Sequence, residues 1–243
     1  MGTSLADQTA DDLGGPHSVL TRQKRDHVEL DRLLHRIDES DGATRQDHLT
    51  QLCRLVFPHA FAEESVLWPA IRKWVPQGEP LTLEIEREHQ EINELFTELE
   101  KLRPDDPEHR RLWERIKSLL REDVRDEEDR LLPMLQDALD RDTLVRLGWA
   151  WEAVRRISPT RPHPVVARRP PGNVAAAAPL TVLDRARDQL DRAARRSTGR
   201  TGALLGSASA GLARVAGVIE HVPPLTRGED PSTRPGRSEQ GQD

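Results

Sequence analysis

Tyrosine is absent from the 243 residues, cysteine occurs once, and aromatic residues make up 3%. A tyrosinate metal ligand and tyrosyl radical chemistry are therefore excluded. The lone Cys53 can form no intrachain disulfide and no thiolate-based zinc or iron–sulfur site. Nothing approaches eighteen consecutive apolar residues, so no membrane span is expected. The first fifteen residues are acidic and polar and lack the apolar stretch of a secretory leader. The expectation is a cytoplasmic protein with no membrane partner. From residue 158 onward there are 13 arginines, no lysine and 8 acidic residues, which leaves 23 basic and 34 acidic residues in the rest of the chain. The basic end is too dilute and too poor in aromatics to suggest a nucleic-acid partner.

What the chain does have is helical periodicity, with no competing strand-like alternation. One stretch, about 17–37, carries Leu20, Leu30, Leu33, Leu34 and Ile37 on one side. A second, about 44–75, carries Leu49, Leu52, Val56, Leu67 and Ile71, with bends expected at Pro58 and Pro69. A third, about 81–102, carries Ile85, Ile92, Phe96 and Leu99. The fourth starts at Asp106-Pro107, an N-cap followed by proline in the first turn, and runs to about 139. A shorter fifth covers about 141–157. The expected fold is all-α: an up-down-up-down four-helix bundle over 17–140, with a fifth helix at 141–158. Residues 1–16 read as a disordered N-terminus and 159–180 as a Pro/Ala-rich linker. Residues 181–222 read as C-terminal helical segments and 223–243 as a disordered tail.

The most informative pattern is an internal repeat. Arg25-Asp26-His27-Val28-Glu29-Leu30 echoes Arg87-Glu88-His89-Gln90-Glu91-Ile92. Glu63-Glu64 followed by Leu67-Trp68-Pro69 echoes Glu127-Glu128 followed by Leu131-Leu132-Pro133. Helices one and two thus match helices three and four, a duplicated helical hairpin. The repeat pairs His27 with His89, and His59 and Glu63 with Asp123 and Glu127. A spacing of four places His59 and Glu63, and likewise Asp123 and Glu127, on one helical face beside core residues. Imidazoles and carboxylates gathered in an apolar core are costly unless metal ions pair them. Mixed imidazole and carboxylate ligands without thiolate suit iron or manganese, while zinc tends to favour fewer ligands. The competing reading is a polar core that holds no metal. Glu64 and Glu128 read as a solvated face, and His17, His35, His48, His109, His163 and His221 as surface or loop residues.

These residues resemble the hemerythrin-like, or HHE cation-binding, family. Its pattern of His on helix one, His-x3-Glu on helix two, His on helix three and His-x3-Glu on helix four maps to His27, His59 with Glu63, His89, and Glu127. The sequences Leu-Trp-Pro at 67–69 and Leu-Leu-Pro at 131–133 are similar to those that follow each Glu in the family. The resemblance covers about residues 17–138 and implies a metal site of His27, His59, Glu63, His89, Asp123 and Glu127 holding two iron ions. It departs from the pattern twice. Asp123 stands where the fourth helix carries a His, and either binds directly, binds through water or leaves that ion weakly held. Asn93 stands where oxygen-carrying members have a further His, so one ion is expected to keep a water or an open position.

The function these features imply is a non-haem di-iron protein that senses or reacts with oxygen, peroxide or nitric oxide. The alternative is a helical interaction or adaptor protein with a degenerate or single-ion site. No nucleophile triad or phosphate-binding glycine loop is present, so no catalytic turnover is assigned.

Overall fold

A computed structural model describes residues 3–228 and 230–235, and every regular element among them is helical. The elements are α1 (Val19–Asp38), α2 (Gly42–Ala62), α3 (Trp68–Trp74), α4 (Gly78–Leu99), α5 (Pro107–Asp126), α6 (Leu132–Ala138), α7 (Arg141–Arg156), α8 (Gly172–Arg196) and α9 (Gly199–Glu220), with short 3-10 turns at both ends. Ser18, Asp106 and Asp140 cap α1, α5 and α7, each accepting a hydrogen bond from a backbone N–H of the first turn.

Two breaks in this series are not ends. A π-helical segment, Glu63–Leu67, joins α2 to α3, and a second, Glu127–Leu131, joins α5 to α6. Each precedes a proline by two residues. Pro69 and Pro133 lack an N–H and would crowd the carbonyls four residues back, at Ser65 and Asp129. A widened turn relieves that conflict without ending the helix.

The apolar interior falls into two clusters. One gathers Leu30, Leu33, Leu34 and Ile37 of α1 with Leu49, Leu52 and Phe57 of α2, Ile92, Phe96 and Leu99 of α4, and Leu112, Ile116 and Leu120 of α5. The other gathers Val19 and Leu20 with Leu67, Trp68, Ile71, Ile85, Leu131, Leu132, Leu135, Leu144 and Trp151. Along α1 the chain passes from the second cluster to the first. Through α2 and α3 it returns, along α4 it crosses again, and through α5 and α6 it returns once more. Each crossing passes through a polar layer, and the candidate site residues lie in that layer.

The segments outside the four crossings are better ordered than their composition suggests. Of the N-terminus expected to be disordered, the described part packs: Leu5 and Leu13 are fully buried in the second cluster. Lys24 donates from Nζ to the carbonyls of Ala6 and Gln8 at 2.7 and 2.6 Å. Two leucines among polar neighbours leave no periodic signal, yet suffice to dock the segment. Helix α7 packs so closely on the start of α1 that a Cβ at Gly148 would lie 2.1 Å from the His17 carbonyl oxygen.

The stretch 159–180 is likewise not an open linker. It turns over the flank of α4, and α8 begins at Gly172, nine residues before the expected Thr181. Alanines 175–178 read as linker by composition but are strong helix formers. The described residues of the tail also pack, with Leu225 and Thr233 buried; residue 229 and residues 236–243 of that tail lie outside the described residues. Helix α9 is long and apolar enough to cross a bilayer by length and composition alone, with a window of mean hydropathy 1.4 of which 11% is buried.

Candidate metal centre

All six residues singled out in the sequence meet in the polar layer, each 9% exposed or less. His27 comes from α1, His59 from the last turn of α2 and His89 from α4. Asp123 comes from the last turn of α5, while Glu63 and Glu127 open the two π-helical segments. Their potential ligand atoms form two overlapping groups: His27, His59, Glu63 and Glu127, and His89, Asp123 and Glu127. The Nε2 atoms of His27 and His59 are 3.3 Å apart. Glu127 Oε2 lies 3.2 Å from His27 Nε2. Glu63 reaches both ways, with one oxygen 2.9 Å from His59 Nε2 and the other 3.8 Å from His89 Nε2. Asp123 Oδ1 is 3.6 Å from His89 Nε2.

The far side of each imidazole rests on a carboxylate. His27 Nδ1 meets Glu128 at 2.8 Å and His89 Nδ1 meets Glu64 at 3.0 Å. His59 Nδ1 is 3.5 Å from Asp26. A carboxylate on Nδ1 fixes the tautomer that presents the Nε2 lone pair inward, as metal-binding histidines require. Glu64 and Glu128 therefore do not form a solvated face; they are 1% and 9% exposed. The wide π turn allows two successive glutamates to point inward, one toward the centre and one toward the histidine of the neighbouring hairpin. The repeat carried this signal, because Glu-Glu recurs at matching places.

Electrostatics describe a layer short of positive charge. Burial alone would lower the His27 imidazole, but the adjacent Glu127 and Glu128 carboxylates push it up to about 10. Burial is likewise overcome at His89 by Asp123 and Glu64, which push it up to about 10, and at His59 by Glu63 and Asp26, which push it up to about 9. Burial and the charge of Glu127 raise the carboxyl groups of Glu63 and Asp123. Burial acts on Glu127 in the same sense, but its contact with His27 wins and holds it low. Both oxygens of Glu63, both of Glu127 and Oδ1 of Asp123 are buried without a hydrogen-bond partner. Orphaned carboxylate oxygens converging with imidazole nitrogens form a donor set that fits metal ions.

Above this layer lies a cavity of about 20 Å³, walled by the site histidines, Asp123 and apolar side chains including Leu55, Phe57 and Ile92. It has room for a guest the size of one water or one diatomic molecule. His27, Leu30 and Val124 also line a surface cleft between α1 and α5. Asn93 is not available to the centre. Its Nδ2 donates to the His89 carbonyl at 2.9 Å and its Oδ1 accepts from the His163 backbone N–H at 3.0 Å.

His163 and His109 are not surface residues, at 5% and 4% exposure. His163 is clamped between Glu220 at 2.8 Å and Asp184 at 3.0 Å, which fastens the α8–α9 hairpin to α4. His48 is half-buried and meets the Ser40 hydroxyl, away from the centre. His17, His35 and His221 are exposed.

Buried histidines braced by carboxylates around orphaned acids define a helical protein with two groups of side chains that could hold metal ions. Residues 18–135 match the model of the hemerythrin HHE cation binding domain, and this part of the chain belongs to that family. The chain is also 25% identical over 130 residues to a protein of Nostoc sp. named DNA nickase, across 53% of this chain and 36% of that protein. It thus spans about a third of the length of that relative. No solved structure matches the chain.

Proposed function

We propose that residues 17–140 form an up-down-up-down four-helix bundle that holds two iron ions, and that the protein senses or reacts with oxygen, peroxide or nitric oxide in the cytoplasm. The four alternating passages between the two apolar clusters support the bundle topology. In this reading His27 and His59 would hold one ion and His89 and Asp123 the other, with Glu63 and Glu127 available to both groups. Charge supports two ions. Six buried carboxylates (Asp26, Glu63, Glu64, Asp123, Glu127 and Glu128) face three imidazoles. Arg155 approaches Asp26 at 3.6 Å and Arg168 approaches Glu64 at 3.7 Å. With neutral imidazoles the balance is about −4, which two divalent ions cancel. Bound iron would supply one-electron redox chemistry and affinity for small oxidants.

The observation that carries the choice of ligand is the small cavity of about 20 Å³ beside the centre, which suits a guest of a few atoms. The protein's part is to brace each imidazole through Nδ1, to keep bulk water out with the apolar wall, and to admit a small guest past Val124. The test is metal analysis of purified protein together with its optical spectrum under oxygen, peroxide and nitric oxide. Two irons per chain and a spectrum that responds to at least one of these gases or peroxide support the reading. Protein that stays metal-free after anaerobic reconstitution contradicts it.

The name of the Nostoc relative raises DNA strand cleavage as a second reading, since paired metal ions can activate water toward a phosphodiester. Burial of all six candidate ligands argues against it, because a backbone phosphate cannot reach them without opening the bundle. Conversion of supercoiled to open circular plasmid by iron- or manganese-loaded protein would favour this second reading.

A further inference from the structure

A polar-rimmed concavity with an apolar floor lies away from the metal centre, where the α8–α9 hairpin crosses the far end of the bundle, and it measures about 490 Å³. That is the size of a small-molecule site. Its floor is core: Leu49, Cys53, Phe96 and Leu99, with Ala210 and Ala213 of α9 as the opposite wall.

Three polar groups lining this cleft lack hydrogen-bond partners within the protein. His109 is 4% exposed and Ser209 is 5% exposed, and neither side chain makes a hydrogen bond to any described residue. Arg187 Nε is buried and unpaired. Buried polar atoms are almost always satisfied, so Arg187 Nε, buried and unpaired on the cleft wall beside His109 and Ser209, points to something that satisfies it. The acids of the wall are already engaged. Arg161 bonds Asp188 at 3.0 Å and Asp191 at 2.5 Å and reaches Glu100 at 3.3 Å. Arg187 is left with one 3.5 Å contact to Glu100. The available donors therefore favour an acceptor, and the floor favours a hydrophobic body.

We propose that this cleft binds an amphipathic organic acid, a ring-sized apolar body with a single carboxylate or sulfonate directed at Arg187, His109 and Ser209. The site is independent of the metal reading. The Phe57–Phe96 pair, with ring centroids 5.3 Å apart, stands between the two cavities. A ligand here would touch both the bundle and the hairpin and so hold them together.

The test uses the full chain and two fluorescent probes, 1-anilinonaphthalene-8-sulfonate and its uncharged counterpart N-phenyl-1-naphthylamine. The sulfonate probe is expected to bind at one site per chain, at least fivefold tighter than the neutral probe. Arg187→Gln should remove that preference. Ala210→Trp, which fills the cleft, should weaken binding at least tenfold, while Ala208→Trp, on α9 but outside the cleft, should not. Saturating probe should also slow alkylation of Cys53, the sole cysteine, by N-ethylmaleimide several-fold, a readout that needs no variant. Binding unchanged by Ala210→Trp, equal affinity for both probes, or an unprotected Cys53 would each overturn the proposal.

Discussion

The two halves of the candidate metal centre occupy matching places in an internal sequence repeat, yet they are not equivalent. In the half built on His27 and His59, both imidazoles have a carboxylate on Nδ1, and α7 closes over them with Trp151 edge-on to His59 at 5.4 Å. In the half built on His89 and Asp123, one imidazole has been exchanged for a carboxylate. The repeat that sets Asp26 beside His59 sets Glu88 in the matching place near Asp123, so an acid is paired with an acid. Burial above all, with Asp126 and Glu84 adding to it, pushes Glu88 up to about 7. This half is covered by the C-terminal segment, through Arg168 near Glu64 and Asn173 bonded to Ser65 at 3.1 Å. The two halves share the central glutamates and the braces and differ at one terminal position, His59 against Asp123. The consequence is one ligand group rich in nitrogen and one rich in oxygen.

The largest effect should come from removing what the halves share. Glu127 belongs to both ligand groups. Glu127→Gln is expected to reduce metal content in both halves, read by elemental analysis, whereas a change confined to one half should spare the other. Loss of only one ion would show that Glu127 serves a single site.

Acid should act nearly as strongly. In the metal-free protein His27, His59 and His89 hold their protons up to about 9–10, against an ordinary value of 6.5. Metal binding must expel them, so affinity should tighten with rising pH, by about tenfold per pH unit for each proton displaced, and level off near 9–10. The same shifts fix the sign for stability. Groups with raised values stabilise the metal-free fold fully below 6.5 and lose that contribution as pH climbs through 9–10. Thermal melts should therefore show metal-free protein weakening across that window, with metal-loaded protein much less affected. Equal losses in both forms would contradict the assignment.

The braces separate the halves at smaller cost. Glu64→Gln is expected to weaken the ion beside His89, and Glu128→Gln the ion beside His27, each by about 10–100-fold in metal affinity. Competition with a chelator measures both. If the two variants weaken the same ion, the pairing of halves is wrong. Smaller still, Asp123→His should make the halves alike, tightening the second ion and raising its reduction potential, because an anionic ligand favours ferric iron. Unchanged metal counts and voltammetry would mean that Asp123 is not a ligand.

The sequence made the layer of ligands legible because two constraints coincided. Helical spacing set His59 with Glu63 and Asp123 with Glu127, and the repeat set His27 opposite His89. The braces were missed because adjacent glutamates on an ideal helix point about 100° apart, and only the π turn before Pro69 and Pro133 brings both inward. Composition misjudged the flanks for a related reason. Leu5, Leu13 and Leu225 are single apolar anchors without periodicity, and His163 gains its burial from Asp184 and Glu220, acids 21 and 57 residues away. Tertiary pairs of that kind leave no local pattern. They also alter what truncation would mean, since removing residues 159–243 would strip Arg168 and Asn173 from the centre as well as the hairpin.

The most direct test of an unequal pair is a stepwise iron titration of the metal-free protein under anaerobic conditions, followed by calorimetry and elemental analysis. Two ions per chain should bind in separate steps, and Asp123→His should merge the steps while leaving the first unchanged. A single ion per chain in both proteins, or two indistinguishable steps in the natural sequence, would contradict the account.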